Sequence, residues 1–328
     1  MRRVVIKKST NAAVTILIIL LANFLLFRVM PGDPADIFFR TGGGVHPDEQ
    51  FIAKQRALLG LDDPIHVLIG KYLLNTFTGQ WGYSFFRRTQ LVTDIIAQKA
   101  IWTVLLVGSS TLVTLWLGMV IGAVSAWRRG KPVDLASLGF GFFFYSMPTF
   151  WLGMIMVLLF GQGLGAIPLF PRNGAFSVPG PVDPLGQALD VGAHLVLPAL
   201  TLTLVQVAGI SIIMRNALID VLTEDYIVTA KAKGLPERQI LKAHAVPNAR
   251  LPMVTVIALN LGFVLGGALQ VETVFNYDGL GLLTVRAIQA RDYPLLQGLF
   301  LLITFSVVIA NLISDFVYAW LDPRVRLE

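Results

Sequence analysis

The sequence predicts an all-α, polytopic membrane protein with about six transmembrane helices. Three observations support this fold class: an apolar composition, apolar runs long enough to span a bilayer, and basic residues clustered at alternate ends of those runs. Hydrophobic residues make up 55% of the chain and charged residues 14%, whereas a soluble domain usually carries about 25% charged residues. We therefore expect a multi-pass protein of the cell membrane whose outer surface faces the lipid bilayer.

The apolar runs define the predicted spans, because a spanning helix needs about 20 mostly apolar residues. The first run follows a basic start that resembles a signal peptide, but it is long enough to span and no small-residue cleavage site follows it. We interpret it as an uncleaved first helix. The predicted spans are Thr10–Val29, Ile101–Trp127, Leu135–Phe160, Leu195–Ala217, Leu251–Val271 and Leu299–Leu321.

The basic residues predict the orientation, because lysine and arginine are concentrated in cytoplasmic segments. Here they cluster at both ends of the chain and after the second and fourth spans, so both termini are predicted to be cytoplasmic. The net charge is +6. The lysine and arginine residues lie between apolar runs rather than on one basic face, which disfavours nucleic-acid binding. The predicted units are a cytoplasmic N-terminus with the first helix (1–30), an external segment (31–99), a membrane domain (100–322) containing a cytoplasmic segment (219–250), and a cytoplasmic tail (323–328).

Proline and glycine predict local features of the helices. The external segment has two candidate short helices, Asp48–Leu59 and Asp63–Phe77, the second with Pro64 in its first turn. Pro148 is expected to kink the third span. Two glycine pairs, Gly118–Gly122 and Gly262–Gly266, have the spacing that lets helix backbones approach closely. The alternative is that glycine is simply common in membrane helices.

The cytoplasmic segment Glu224–Pro252 predicts two short helices with a break. Tyr226–Lys233 is rich in helix formers, Gly234 ends the run, and Pro236 is suited to open the next helix. That second helix is expected to end before Pro247 or Pro252. A helix–turn–helix here could dock on a partner, since Ala230 and Ala232 are small. The alternative is an ordinary connection with a solvated basic face.

This segment resembles the EAA loop of binding-protein-dependent ABC importer permeases. The match is strongest to the dipeptide and oligopeptide branch, whose version resembles E-D-Y-x-x-T-A-x-A-K-G-L. The residues that fit it are Glu224, Asp225, Tyr226, Thr229, Ala230, Ala232, Lys233, Gly234 and Leu235. Further family-like segments are Pro31–Pro34, Leu59–Asp62, Ser146–Gly153, His194–Pro198, Glu272–Gly281 and Asp322–Arg326. Gln80-Trp81-Gly82 replaces a usual Asp-Leu-Gly, and Asp278 stands where proline is common.

The resemblance implies a type I ABC importer (MetI-like) permease fold and a set of partners. These are a second homologous permease, two ATPase subunits docked on the nine matching residues, and an external substrate-binding protein. The external segment is a candidate for docking the binding protein or for capping the gate. The loop Asn276, Tyr277, Asp278 and Gly279 is a second candidate for docking the binding protein. No Walker A pattern occurs in the chain. We therefore expect this chain not to hydrolyse ATP. The resemblance implies no catalytic residue, metal or cofactor in this chain, with ATP and Mg²⁺ held by the ATPases.

Polar residues within apolar spans are costly and usually face the protein interior. They are therefore candidates for lining a translocation path, although helix packing or snorkelling would also explain them, for Asp315 in particular. The candidates are Gln206, Asn260, Gln270, Asn311 and Asp315.

Other functions are less well supported by the residues. An intramembrane hydrolase would need a nucleophile–base pair or metal ligands at depth, and none of the four histidines lies in the middle of a predicted span. A stand-alone secondary transporter often shows inverted repeats, which are not evident; a membrane scaffold would show no flux. Within the resembled branch, peptide is the expected substrate by family frequency, with nickel, glutathione or oligosaccharides as alternatives.

Overall fold

The structure is a computed structural model that describes residues 2–29, 63–87, 90–163, 167 and 169–321. Regular structure in these residues is helical, apart from two isolated bridges, Tyr83–Leu91 and Gly161–Phe170. In chain order the helices are α1 (Arg2–Val29), α2 (Ile65–Thr78), α3 (Val92–Trp127), α4 (Pro132–Tyr145), α5 (Thr149–Phe160), α6 (Pro184–Leu222), α7 (Asp225–Ala232), α8 (Glu237–Gln239, Ile240–Ala245 and Val246–Ala249), α9 (Leu251–Gly262), α10 (Leu269–Val274), α11 (Leu280–Ala290) and α12 (Tyr293–Leu321). The predicted all-α fold is confirmed.

Within the described residues, four helices are long and apolar enough to cross a membrane, and the bent pair α4–α5 raises the number to five. The four are α1, α3, α6 and α12. Helices α3 and α6, of 36 and 39 residues, would be about 54 and 58 Å long if straight, well beyond the ~30 Å hydrocarbon core. Their ends therefore extend beyond the predicted spans, and the predicted boundary at residue 99 falls inside α3.

The predicted span Leu251–Val271 is not one continuous helix. Helix α9 has 12 residues and continues as a 3₁₀ turn, Phe263–Gly266. The chain then breaks at Gly267, whose φ is 76°, a left-handed conformation that only glycine adopts easily. After the break, α10 starts a separate short helix that belongs to the outer loop. The α9 helix and its 3₁₀ turn together rise about 26 Å. This length is slightly less than the ~30 Å thickness of the hydrocarbon core.

The predicted kink at Pro148 is confirmed as a sharp bend. Helices α4 and α5 meet there at 98°, and Pro148 is the residue that precedes the first turn of α5. Proline lacks the N–H needed to continue the α4 hydrogen bonds and disfavours helical backbone in the residue before it.

The glycine pair Gly118–Gly122 permits a close contact between helices α3 and α6. A Cβ atom on Gly118 would lie 2.6 Å from the Ile210 side chain, and one on Gly122 would lie 2.4 Å from the backbone oxygen of Ser211. The predicted close approach is therefore confirmed for this pair. It is not found at Gly266, where a Cβ would meet no atom within 4 Å, while the surroundings of Gly262 lie outside those described.

The described part of the external segment packs against the first and last helices. Helix α2 confirms the predicted helix at Asp63–Phe77, and its Tyr72 hydroxyl accepts a hydrogen bond from Asn23 of α1 at 3.2 Å. The predicted helix Asp48–Leu59 lies outside the described residues.

A buried carboxylate fixes the next part of this segment to α12. Asp292 is 0% exposed, and its side chain accepts hydrogen bonds from the backbone N–H groups of Phe85 at 3.0 Å and Phe86 at 3.2 Å. It also accepts the N–H of Leu295 at 3.3 Å in the first turn of α12. One side chain therefore caps a membrane helix and holds an outer loop.

Candidate functional site: the cytoplasmic coupling segment

Helix α7 is anchored to its own chain through one apolar face. Ile227 is 0% exposed and Ala230 is 6% exposed. Both pack into a core cluster formed with α3, with the second half of α6, with α8 and with the start of α9. The other buried members of this cluster are Leu115, Ala126, Ile210, Met214, Leu218, Ile240, Ala245, Ala249 and Met253. The short helix therefore sits on a rigid base rather than on a loose loop.

The opposite face of α7 is open. Val228 is 57% exposed and Tyr226 is 41% exposed. Most of the predicted coupling residues share this exposure: Glu224, Asp225, Tyr226, Thr229, Ala232, Lys233 and Gly234. Ala230 is the exception. It was expected to make close docking possible, but it is buried in the chain's own core, and Leu235 is half-buried against that core.

The predicted break at Gly234 is confirmed as a glycine-capped helix end. Gly234 has a φ of 73°, and its N–H donates to the carbonyl of Lys231 at 2.9 Å. The N–H of Leu235 donates to the carbonyl of Ala230 at 3.3 Å. This pair of bonds is a Schellman motif, and the Leu235–Ala230 packing is its usual apolar contact. A Cβ on Gly234 would meet no atom of this chain within 4 Å.

Helix α8 begins where predicted and ends later than Pro247. Pro236 precedes its first turn, but the helix continues through Pro247 and stops at Arg250, before Pro252. A wide π turn, Ile240–Ala245, ends two residues before Pro247. The π turn changes the hydrogen-bond pattern at the point where the proline lacks an N–H, so the helix does not have to end there.

Tyr226 links the two helices of the segment. Its hydroxyl interacts with the side chain of Asn248 on α8. The pKa of Tyr226 is raised, first because partial burial penalises the phenolate and second because the Glu224 carboxylate lies nearby. The tyrosine therefore stays neutral and can donate a hydrogen bond at physiological pH.

An ion pair that sequence reasoning missed holds the base of the coupling segment. Arg215, near the end of α6, donates from Nε and a terminal nitrogen to the two oxygens of Asp134 on α4, both at 2.8 Å. Asp134 also accepts the Gly130 N–H at 2.9 Å and the Ser125 hydroxyl. The carboxylate thus joins α3, α4 and α6 where they meet below the membrane. Its only sequence signal is an acidic residue in a first helical turn, which is common.

The outer loop after α10 is a second candidate site, and its predicted docking residues divide into two groups. Tyr277 is 0% exposed, and a Cβ on Gly279 would lie 2.4 Å from the Thr103 hydroxyl. These two residues are therefore buried in the chain itself, which corrects their expected role in docking. Asn276 and Asp278 do reach the surface.

Charged side chains fix the exposed part of this loop. Asp278 pairs with Lys99 on α3 and with Arg286 on α11 at 3.4 Å. Arg286 also donates to the Asn276 side-chain oxygen at 3.0 Å. The loop is therefore held against two helices and presents a mixed-charge surface.

Glu272 fixes the loop from beneath and was not singled out from the sequence. It is 0% exposed and accepts the Thr103 hydroxyl at 2.9 Å and the backbone N–H of Leu282 at 3.1 Å. Thr103 accepts the N–H of Leu280 at 2.7 Å in return. These two partners of Glu272 come from α3 and from the first turn of α11, so the carboxylate joins the outer loop to both helices.

Comparison with known families identifies the chain. Residues 118–327 match the model described as "Binding-protein-dependent transport system inner membrane component", and residues 1–107 match "Binding-prot-dependent transport system membrane comp, N-term". The chain belongs to this family. It is therefore a multi-pass inner-membrane permease of an ATP-binding-cassette importer, a non-catalytic membrane component that works with ATPase and substrate-binding partners.

Relatives with established names cover the whole permease. The glutathione transport system permease protein GsiC of Salmonella paratyphi A is 35% identical over 99% of both chains. A putative peptide transport system permease protein of Brucella abortus is 34% identical over 100% of both. The structure resembles an inward-facing MetNI methionine ABC transporter chain with a TM-score of 0.55 and 16% identity, over 70% of this permease and 97% of that chain. This likeness supports the type I importer fold.

The five residues predicted to line the path lie on four helices of the permease. Gln206 on α6 and Asn260 on α9 are half-buried, and the Asn260 amide donates to the Val256 carbonyl of its own helix at 2.7 Å. Gln270 on α10 and Asn311 on α12 are exposed. Asp315 lies outside the side chains that the structure describes. A role in the path stays a prediction for all of them.

Proposed function

We propose that this permease imports peptides, and that the exposed face of α7 with the Gly234 turn is the surface that docks on an ATPase subunit. The observation that carries the docking proposal is the division of α7 into two faces. One face is fixed to the chain's own core, and the other leaves small and polar side chains open around a rigid glycine turn. A surface that must transmit motion needs both a firm attachment and a free contact face.

The assembly we propose has a second, homologous permease, two ATPase subunits and an external substrate-binding protein. ATP and Mg²⁺ are held by the ATPases, and this chain binds no cofactor of its own. The exposed apolar side chains of α3, among them Ile101, Leu112 and Trp116, which are 61–66% exposed, suit contact with lipid or with the second permease.

In the proposed cycle, ATP binding closes the two ATPases and moves the docked α7. Because α7, α8 and the end of α6 share one core, the displacement reaches α6 without passing through a flexible joint. Helix α6 contacts α3 closely at Gly118 and Gly122, so the two helices move together. The resulting rotation opens the path outward, the binding protein releases its peptide, and hydrolysis restores the inward-facing state.

Peptide and glutathione are the two substrate classes favoured by the relatives, since one relative is named for each. Glutathione is itself a small peptide, so both fit one path. The test is uptake into vesicles that carry the complete transporter with its own binding protein. Labelled dipeptides, tripeptides, glutathione and nickel are offered separately, with and without ATP. ATP-dependent uptake of peptides supports the proposal, and uptake of nickel alone or of no peptide contradicts it.

Docking on the ATPase is tested separately by co-purification. The permease with Ala232→Trp should lose its ATPase subunits, because a large side chain would fill the open face of α7 without disturbing the buried one. Lys242→Trp, on the exposed side of α8, is the matched control and should keep them. Retention of the ATPase by the first variant would contradict the proposed surface.

A further inference from the structure

The permease has an outer pocket that belongs neither to the coupling surface on α7 nor to the outer loop after α10. It lies between the start of α3, the loop before α6 and the first turns of α6. Its volume is about 450 Å³, within the range of small-molecule sites. The lining residues that matter here are Trp102, Phe176, Val178, Pro181, Asp190 and Val191.

Two aromatic rings form one wall. The ring centroids of Trp102 and Phe176 are 5.3 Å apart, with 31° between the ring planes. Trp102 also makes an edge contact with Tyr277 at 6.5 Å. The pocket therefore adjoins the outer loop, at the end of the molecule where a binding protein would release its cargo.

Among the described residues, Asp190 is the one charged side chain that lines the pocket. Its two carboxylate oxygens accept hydrogen bonds from Ser177, one from the backbone N–H at 2.7 Å and one from the hydroxyl at 2.6 Å. Both donors belong to the loop, so the carboxylate is built into the wall. The side chain remains 14% exposed, and each oxygen keeps a further lone pair for a ligand.

His194, one turn further along α6, bonds to the backbone at Asp190 more closely than it approaches the carboxylate. Its Nδ1–H donates to the backbone carbonyl of Asp190 at 2.8 Å, whereas the nearest carboxylate oxygen is 3.6 Å away. The Ser177 hydroxyl is bonded to Asp190 and not to the histidine. The three residues thus form a structural support and lack the serine–histidine contact of a hydrolase.

We propose that this pocket binds the N-terminal ammonium group and the first apolar side chain of an incoming peptide. A carboxylate beside aromatic side chains favours a cation. Because no lysine or arginine is among the described residues that line the pocket, the Asp190 carboxylate also repels an anionic group. Val178, Pro181 and Val191 supply the apolar surface next to it. This inference rests on the proposed peptide transport and adds a preference for a free amino terminus.

The test is direct binding to the purified, complete transporter in lipid nanodiscs, without the binding protein, which would impose its own preference. The probes are L-leucyl-L-alanine and its N-acetyl derivative, followed by saturation-transfer NMR. The free dipeptide should bind more tightly than the acetylated one. Asp190→Asn should weaken binding of the free dipeptide by up to about fivefold, which is the scale of a partly exposed ion pair. The same variant should leave binding of the acetylated dipeptide unchanged.

Matched variants separate charge from structure. Ser177→Ala keeps the Asp190 carboxylate and removes the hydroxyl that donates to it. If the charge of Asp190 determines binding, this variant should change the affinity for the free dipeptide less than twofold. Val191→Trp fills the pocket without altering the charge and should abolish binding of the free dipeptide. Equal binding of the two probes, or equal losses in Asp190→Asn and Ser177→Ala, would overturn the inference. If the binding test fails but vesicles import peptides, the proposed peptide site in the pocket is wrong and the proposed function stands. If binding depends on the free amine but vesicles do not import peptides, the proposed substrate is wrong.

Discussion

Replacing Gly234 with valine should uncouple ATP hydrolysis from transport while leaving the permease folded. The φ of Gly234 is 73°, and an L-residue in this conformation costs roughly 1–2 kcal/mol, most for a β-branched side chain. A Cβ at this position meets no described atom within 4 Å, so we expect backbone strain to be the main cost within the subunit. Any larger defect must arise where the turn meets another protein.

Gly79 offers a control with the same geometry at the other end of the molecule. It ends α2 with a φ of 74°, and a Cβ there also meets no atom within 4 Å. Gly79→Val should therefore lower the thermal stability of the permease as much as Gly234→Val. In reconstituted transporter assayed without the binding protein, whose candidate docking segment contains Gly79, only Gly234→Val should change the ATPase activity. An equal change of ATPase activity in the two variants, or an unchanged activity in Gly234→Val, would refute the reasoning.

Three further predictions concern the supports of these sites. Ile227→Ala should destabilise the permease by about 2–4 kcal/mol because the Ile227 side chain is fully buried. Val228→Ala should change stability by less than ~0.5 kcal/mol because Val228 is exposed. Thermal unfolding in detergent measures both variants. Arg215→Leu should cost about 3 kcal/mol by leaving the buried carboxylate of Asp134 without its ion pair, and equal stability to the native chain would show that the pair is dispensable. Gly279→Val should disrupt the outer loop through its contact with Thr103, so limited proteolysis should cut there; an unchanged digest would contradict the burial.

Features encoded by one residue and its neighbours could be predicted from the sequence. The break at Gly234 and the bend at Pro148 follow from backbone restrictions that act locally. The contact at Gly118 and Gly122 follows from the spacing of small residues on one helical face. The helix at Asp63–Phe77 follows from its apolar pattern and the proline before it.

Features that depend on contacts distant in sequence could not be predicted. Thr103 and Glu272 are 169 positions apart, and their pairing is what folds the outer loop back and buries Tyr277 and Gly279. The sequence of the loop alone does not show this burial, so Asn276, Tyr277, Asp278 and Gly279 were all predicted to face a partner. Ala230 is a similar case, because which face of a short helix is buried depends on the helix it packs against.

The most direct test of the central claim uses the fact that the chain contains no cysteine. A single cysteine at Ala232, on the open face of α7, can be cross-linked without interference from other thiols in this subunit. A cysteine at Val178, which is 85% exposed and separated from α7 by the full length of α6, serves as the control. In the assembled transporter, Ala232→Cys should cross-link to the ATPase subunit and Val178→Cys should not. Absence of an ATPase adduct at Ala232→Cys, with the complex intact, would contradict the account.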